Sequence, residues 1–276
     1  MYLGAHISIA GGFDKCLDRA IGLGANCLMT FASSPRSLQH KNLDAGQISR
    51  YLAKKKNLEI GPHYFHGVYL VNLATGNKDN LRAGINSLIF YQRQAGEIGA
   101  VGTIFHVGSH KGQGLSGCID QIVRAVNFIL DSSPKGTKLI MENAAGQGGT
   151  IGEKFEDLAQ IIARVGDKPK IGICLDTQHA FAAGYSLDTV LDKFDRAIGI
   201  KYLSVIHLND SKTDFNSHVD RHANLGEGKI GNLELKKFIK SLQFKTKNFP
   251  PIILEVPGSG DGPRKHDIDA LKSLLE

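Results

Sequence analysis

Short apolar runs alternate with amphipathic stretches along the whole chain, and a histidine or a carboxylate closes six of the runs. These runs are 58–66 (LEIGPHYFH), 102–106 (GTIFH), 138–142 (KLIME), 170–176 (KIGICLD), 203–207 (LSVIH) and 251–255 (PIILE). Their lengths and β-branched content predict strands, and 2–7 and 26–31 bring the set to eight. Between them, apolar residues at three- and four-residue spacing predict helices over 14–23, 47–57, 80–98, 117–130, 153–165, 187–198, 233–239 and 268–275. Thr150 and Glu153 have the spacing of a capping box before the fifth of these. Strand–helix units that repeat without a linker predict one α/β domain over residues 1–276, a TIM-like (β/α)8 barrel. An open doubly wound sheet would instead leave edge strands and set its ligands along a crevice.

In a barrel the strand exits converge on one face, so the closing residues His66, His106, Glu142, Asp176, His207 and Glu255 meet there. Two local clusters, Asp176-Thr177-Gln178-His179 and Asp220-Arg221-His222, add His179, Asp220 and His222. One such residue is explained by a salt bridge at the barrel mouth. Six strands repeating the pattern are not, because each buried charge is costly without a partner. Nine N and O donors exceed the roughly four that one zinc ion takes, so the pattern predicts a polynuclear metal site with neutral imidazole ligands. His6 is either a donor that orients these ligands from behind or a plain core histidine. Arg221 is either a phosphate contact or a solvated loop residue. His63, His110 and His218 fall near the same face without a further sign of ligation, and His40 and His266 read as surface residues. Glu227, in a turn tightened by Gly226 and Gly228, reads as a group behind the ligands. The Gly-rich stretch 144–149 lacks a Walker lysine and the GxGxxG order, so it reads as a flexible loop over the site and predicts no nucleotide cofactor.

Composition narrows the partners. With 42% hydrophobic and 22% charged residues the chain reads as an ordinary soluble protein, and its net charge of +6 favours a polyanionic partner. Cys16, Cys27, Cys118 and Cys174 have no CxxC spacing, which argues against a cysteine zinc site and for buried thiols in a reducing compartment. The opening MYLGAHISIAGG has no basic flank before an apolar run, and no apolar stretch reaches membrane-span length, so the expectation is a cytoplasmic protein with no membrane partner.

Several long segments carry a family pattern: GAHIS-IAGG at 4–12, HGVYLVNL at 66–73, FHVGSH at 105–110 and MENAAGQG at 141–148. GICLDTQHAFAAGY at 172–185, HLNDSK at 207–212, DRHANLGEG at 220–228 and LEVP at 254–257 continue it in order. The chain resembles the endonuclease IV family of apurinic/apyrimidinic endonucleases over nearly its full length. That resemblance implies a TIM-like barrel with three zinc ions, one site being open to Mn2+. His66, His106 and Glu142 would hold the first, Glu142 would bridge to a second with Asp176, His207 and Glu255, and His179, Asp220 and His222 would hold the third. It implies cleavage of DNA on the 5′ side of an abasic site, giving a 3′-hydroxyl and a 5′-deoxyribose phosphate, and trimming of blocked 3′ ends. Glu142 and Glu255 become the catalytic carboxylates, with metal-bound hydroxide as nucleophile and Glu255 orienting or deprotonating the water. Arg36, Tyr69 and Leu70 match positions that enter the duplex at the lesion, and Arg221 joins them as a DNA contact. The implied partner is double-stranded DNA with an abasic site or blocked 3′ end, met by a monomer associated with the nucleoid.

The chain departs from the family pattern in places. The loop 32–38 reads ASSPRSL where the family has lysine-asparagine before its arginine and an aromatic soon after, and the chain has no Trp. Gln178 stands where many relatives carry cysteine, and Val256 where they carry threonine. Two other classes compete. Sugar isomerases and epimerases of the same barrel plan use one or two metals, which leaves the group His179, Asp220 and His222 unexplained. A lesion-binding protein without catalysis would have no need of nine donors.

Overall fold

The computed structural model describes residues 1–260 and 262–276. Eight parallel strands close a barrel. In chain order the strands are β1 (Leu3–His6), β2 (Cys27–Thr30), β3 (His63–His66), β4 (Gly102–Phe105), β5 (Lys138–Glu142), β6 (Ile171–Asp176), β7 (Leu203–His207), β8 (Asp210–Ser211), β9 (His222–Ala223) and β10 (Ile252–Leu254). β10 pairs with both β1 and β7, which closes the ring, while β8 and β9 form a separate antiparallel ribbon. Closure leaves no edge in the barrel and rules out the open sheet.

Strand alternation sets the site. The interior is filled by Cys27, Met29, Tyr64, Ile104, Ile140, Cys174, Val205 and Ile253, all buried. Two residues beyond six of these, on the same face, stand His66, His106, Glu142, Asp176, His207 and Glu255. An apolar plug is thus capped directly by a polar ring. The opposite strand faces pack on the helices α1 (Lys15–Leu23), α2 (Ala45–Asn57), α3 (Lys78–Ile98), α4 (Ile119–Asp131), α5 (Phe155–Arg164), α6 (Thr177–Ala182), α7 (Val190–Ala197), α8 (Gly231–Lys245) and α9 (Lys265–Leu275).

Where sequence and structure differ, the cause is local. The run 58–66 yields a strand only from His63, because Gly61-Pro62 interrupts it and Pro62 has no N–H for a ladder. No capping box starts α5: its N-cap is Lys154, and Thr150 is engaged in a bridge to Ser109. α6 and the β8–β9 ribbon are elements that the hydrophobic pattern does not predict. His40 is not a surface residue but is half-buried, with Ser33 Oγ and Ser87 Oγ each 2.7 Å from a ring nitrogen and Phe90 stacked on it at 4.7 Å.

His63 is displaced too. It starts its strand on the outer face, far from the exits, between Thr30 Oγ1 at 2.9 Å and Tyr51 Oη at 2.8 Å. Burial, helped by Lys55, holds its imidazole well below the usual range, so the folded protein keeps it neutral. The unfolded chain protonates it near pH 6.5. Stability is therefore lost as pH falls below that value, by up to about 1.4 kcal/mol per pH unit for one proton. His63→Gln should cost about 1–2 kcal/mol at pH 8 through its lost hydrogen bonding. The gap to wild type should narrow at pH 5.5, because only the wild type then loses stability to protonation of its unfolded His63, which urea unfolding at the two pH values measures.

Candidate metal centre

The nine predicted donors come together at the C-terminal mouth of the barrel. Their nitrogen and oxygen atoms group as His66, His106 and Glu142, as Glu142, Asp176, His207 and Glu255, and as Asp176, His179 and His222. Asp220 joins the last group, with Oδ2 3.3 Å from His179 Nε2 and Oδ1 3.4 Å from His222 Nε2. Glu142, Asp176 and His207 are wholly buried.

Local structure explains each placement. Asp176 ends β6 and is the N-cap of α6, where Oδ1 accepts the backbone N–H of His179 at 2.9 Å. The D-x-x-H spacing is therefore N-cap to N3, and one hydrogen bond ties two candidate ligands together. His222 arrives on β9, whose partner strand begins with the buried Asp210. Asp210 gathers the N–H groups of Ser211, Gly226, Gly228 and Ile230 at 2.7–3.1 Å. A Cβ at Gly228 would stand 2.4 Å from Asp210 Oδ1, so glycine is required there.

Backbone carbonyls aim the imidazoles. A carbonyl can only accept, so His66 Nδ1 donates to Gly67 O at 2.7 Å, His179 Nδ1 to Asn143 O at 3.0 Å and His222 Nδ1 to Glu255 O at 3.1 Å. Each pairing turns Nε2 toward the cluster. His207 is reversed: Nδ1 faces Glu142 Oε1 at 2.9 Å and Glu255 Oε2 at 3.0 Å, while the buried Nε2 has no hydrogen-bond partner among the described residues.

The spacing suits a cation. Tetrahedral zinc, with N and O donors at about 2.1 Å, sets those donors about 3.4 Å apart. Here His66 Nε2 and His106 Nε2 lie 3.2 and 3.4 Å from Glu142 Oε2, and the two Nε2 atoms of His179 and His222 face one another at 3.4 Å. Two imidazole nitrogens in that posture need a proton or a metal ion between them. The donor chemistry and the geometry both fit metal.

Among the other predicted residues, His6 Nδ1 donates to Glu255 Oε1 at 2.9 Å, so it orients a candidate ligand. Tyr69 and Leu70 are exposed at the rim, at 60% and 54%. Arg221 is exposed, and its Nη1 donates to the carbonyl of Asp220. Arg36 is exposed on the loop after β2 but lines neither cavity beside the cluster. Glu227 is exposed, accepting from Asn224 at 2.9 Å with Arg264 3.6 Å away. The Gly-rich stretch is fastened rather than loose: Gln147 Oε1 accepts Asp220 N–H, and Gly148 O accepts from Ser109 Oγ.

Sequence reading missed two asparagines. Asn143 pairs with the backbone of Asp176 in both directions, at 2.7 and 3.1 Å. Asn209 donates to Asp176 Oδ2 at 2.6 Å and accepts from Glu255 N–H at 2.8 Å. Their only sequence signal is position, one and two residues beyond a strand-closing ligand.

Residues 17–274 match the family model of the xylose isomerase-like TIM barrel. A protein of Halothermothrix orenii named probable endonuclease 4 is 40% identical over 263 residues, covering 93% of this chain and 94% of that one. This chain belongs to the endonuclease 4 family. The crystal structure of endonuclease IV from Thermus thermophilus agrees, with a TM-score of 0.87 at 31% identity over 100% of this chain and 99% of that one. A D-tagatose 3-epimerase-like protein, at 18% identity and a TM-score of 0.78 over 100% of this chain and 97% of that one, shares the fold alone.

Without a cation the carboxylates are balanced by protons. Burial would raise the Glu142 carboxyl, but His207, His106 and His66 hold it well below the usual range. Burial likewise opposes charge on His179, yet Asp176, Asp220 and Glu142 push its pKa up to about 10. His179 is therefore protonated at neutral pH, and an ion that takes its Nε2 must displace that proton. Zinc uptake at pH 7 should release at least one proton per chain, and affinity should rise with pH up to about 10. Calorimetric titration of metal-stripped protein in two buffers of different ionisation enthalpy reads this directly, and a buffer-independent heat would contradict it.

Proposed function

We propose that the chain is a zinc-dependent apurinic/apyrimidinic endonuclease that cleaves DNA on the 5′ side of an abasic site, leaving a 3′-hydroxyl and a 5′-deoxyribose phosphate, and that trims blocked 3′ ends. The observation that carries this is the nine-donor cluster, spaced for metal, on the open face of an endonuclease 4 family barrel. Three ions fit the donors: one on His66, His106 and Glu142, one on Glu142, Asp176, His207 and Glu255, and one on His179, Asp220 and His222. Such ions supply charge neutralisation at the phosphodiester, a more acidic water and stabilisation of the departing 3′-oxygen.

The chain's own groups do the rest. Glu142 is cast as the bridge because Oε2 faces His66 and His106 while Oε1 faces His207. Glu255, fixed at Oε1 by His6 and facing His207 Nδ1 through Oε2, is the ligand placed to orient the attacking water or take its proton. Tyr69, Leu70 and Arg36 enter the duplex, and Arg221 touches a phosphate. A missing base removes stacking, so kinking there costs less than at an intact step. We place the protein as a monomer, a single catalytic barrel acting in the cytoplasm on nucleoid DNA. Among the described residues no helix is long and apolar enough to cross a membrane.

Glu142→Gln should abolish incision while the abasic duplex still binds. Wild-type turnover at full zinc occupancy would refute the bridging role. Tyr69→Ala should remove a stacking platform worth about 1–3 kcal/mol, or roughly ten- to hundredfold in affinity for abasic over intact duplex. Trimming at a nick should suffer less, since a break already makes bending cheap. Equal losses on both substrates, with metal content verified, would point to a disturbed His66 instead.

A further inference from the structure

Two cavities flank the candidate ligands, and Tyr69, His106, His179, Asp220 and Arg221 stand in the walls of both. The larger, about 850 Å³, has Ile7, Ile9, Phe31, Pro35 and Val256 in its wall beside the candidate ligands, and holds the second carboxylate, Glu255. The smaller, about 560 Å³, lies on the other side of Tyr69 and has Asn72, Ser109, Lys111 and Gln147 in its wall.

Charge separates the two. Among the described residues Asp220 is the sole carboxylate in the smaller cavity's wall, and it belongs to the candidate ligands, where a bound cation would neutralise it. Arg221 is common to both. Lys111 is the one lysine in either wall, and among the described residues no carboxylate pairs with it. It is exposed, and it stands at φ 48°, a backbone conformation that long side chains rarely adopt. Hydrogen bonds hold it there. Its own N–H donates to Ser109 Oγ at 3.2 Å, and that hydroxyl donates to Gly148 O at 2.5 Å. On its flanks, His110 N–H donates to Gly149 O at 3.1 Å and Gly112 N–H to His110 Nδ1 at 3.1 Å. A free ammonium is thus presented on a braced turn where glycine would sit more easily.

We infer that Lys111 binds a backbone phosphate of the DNA strand in the smaller cavity, on the side of Tyr69 away from the larger cavity. This rests on the nuclease reading above. A phosphodiester seated at the cluster puts its neighbouring nucleotides to either side, and only the smaller cavity adds a cation of its own to meet the next phosphate. The larger cavity has Arg221, which both share, but no lysine or arginine of its own among the described residues.

The test uses the zinc-loaded enzyme and abasic duplex, with kcat/KM measured across a salt series. Lys111→Gly removes the charge and suits the backbone, so it should fold, which its melting temperature checks. Its plot of log kcat/KM against log salt should flatten by about 1, the contribution of one neutralised phosphate, while Lys111→Arg keeps the wild-type slope. Replacing single phosphates around the lesion by methylphosphonate should weaken the wild type at one position that costs Lys111→Gly nothing further. An unchanged slope in Lys111→Gly, or a full additional loss at every neutralised position, would overturn the contact. A wild type that cleaves no abasic duplex would overturn the nuclease reading along with it.

Discussion

A fully buried carboxylate sits at the centre of this molecule, and the rest of the mouth is organised around stabilising it. Glu142 lies directly above an apolar plug and has no access to water. Burying an uncompensated carboxylate costs several kcal/mol, so its surroundings must be cationic or richly donating. His66, His106 and His207 surround it, and each needs a placement that only a closed ring of strands supplies. Fold and chemistry here are one constraint.

Around that centre the polar groups form a support that is largely backbone. Carbonyls of Gly67, Asn143 and Glu255 fix three imidazole tautomers, and two asparagines hold the backbone of Asp176 and Glu255 and the Asp176 carboxylate. Asp210 plays the same part for the excursion that delivers Asp220 and His222, by drawing a glycine-rich turn around one carboxylate. Such pre-arrangement keeps the donors close when no cation is there to gather them.

Much of this was legible in the sequence because a strand's period of two links each ligand to an apolar residue two places earlier. Ile140 with Glu142 and Val205 with His207 are read as a core residue and its cap from spacing alone. What escaped depends on contacts distant in the chain. His40, flanked by Gln39 and Lys41, looks like surface until Ser87 of α3 closes over it. His63 sits three residues before a ligand, yet the same alternation turns it outward to Tyr51. Thr150 and Glu153 match a capping box only in their separation, and the backbone there is already committed to Ser109. Asn143 and Asn209 act through partners more than thirty residues away, which no local pattern reports.

The cap that Asp176 places on α6 has a consequence for how the mouth fills. Asp176 faces His207 through Oδ2 and, through Oδ1, holds the first turn that aims His179. On the proposed three-ion reading, the position at His207 and the position at His179 are coupled through this one carboxylate, and linkage makes that coupling mutual. Stripping metal from one of them with a chelator would then change how tightly the other holds its own.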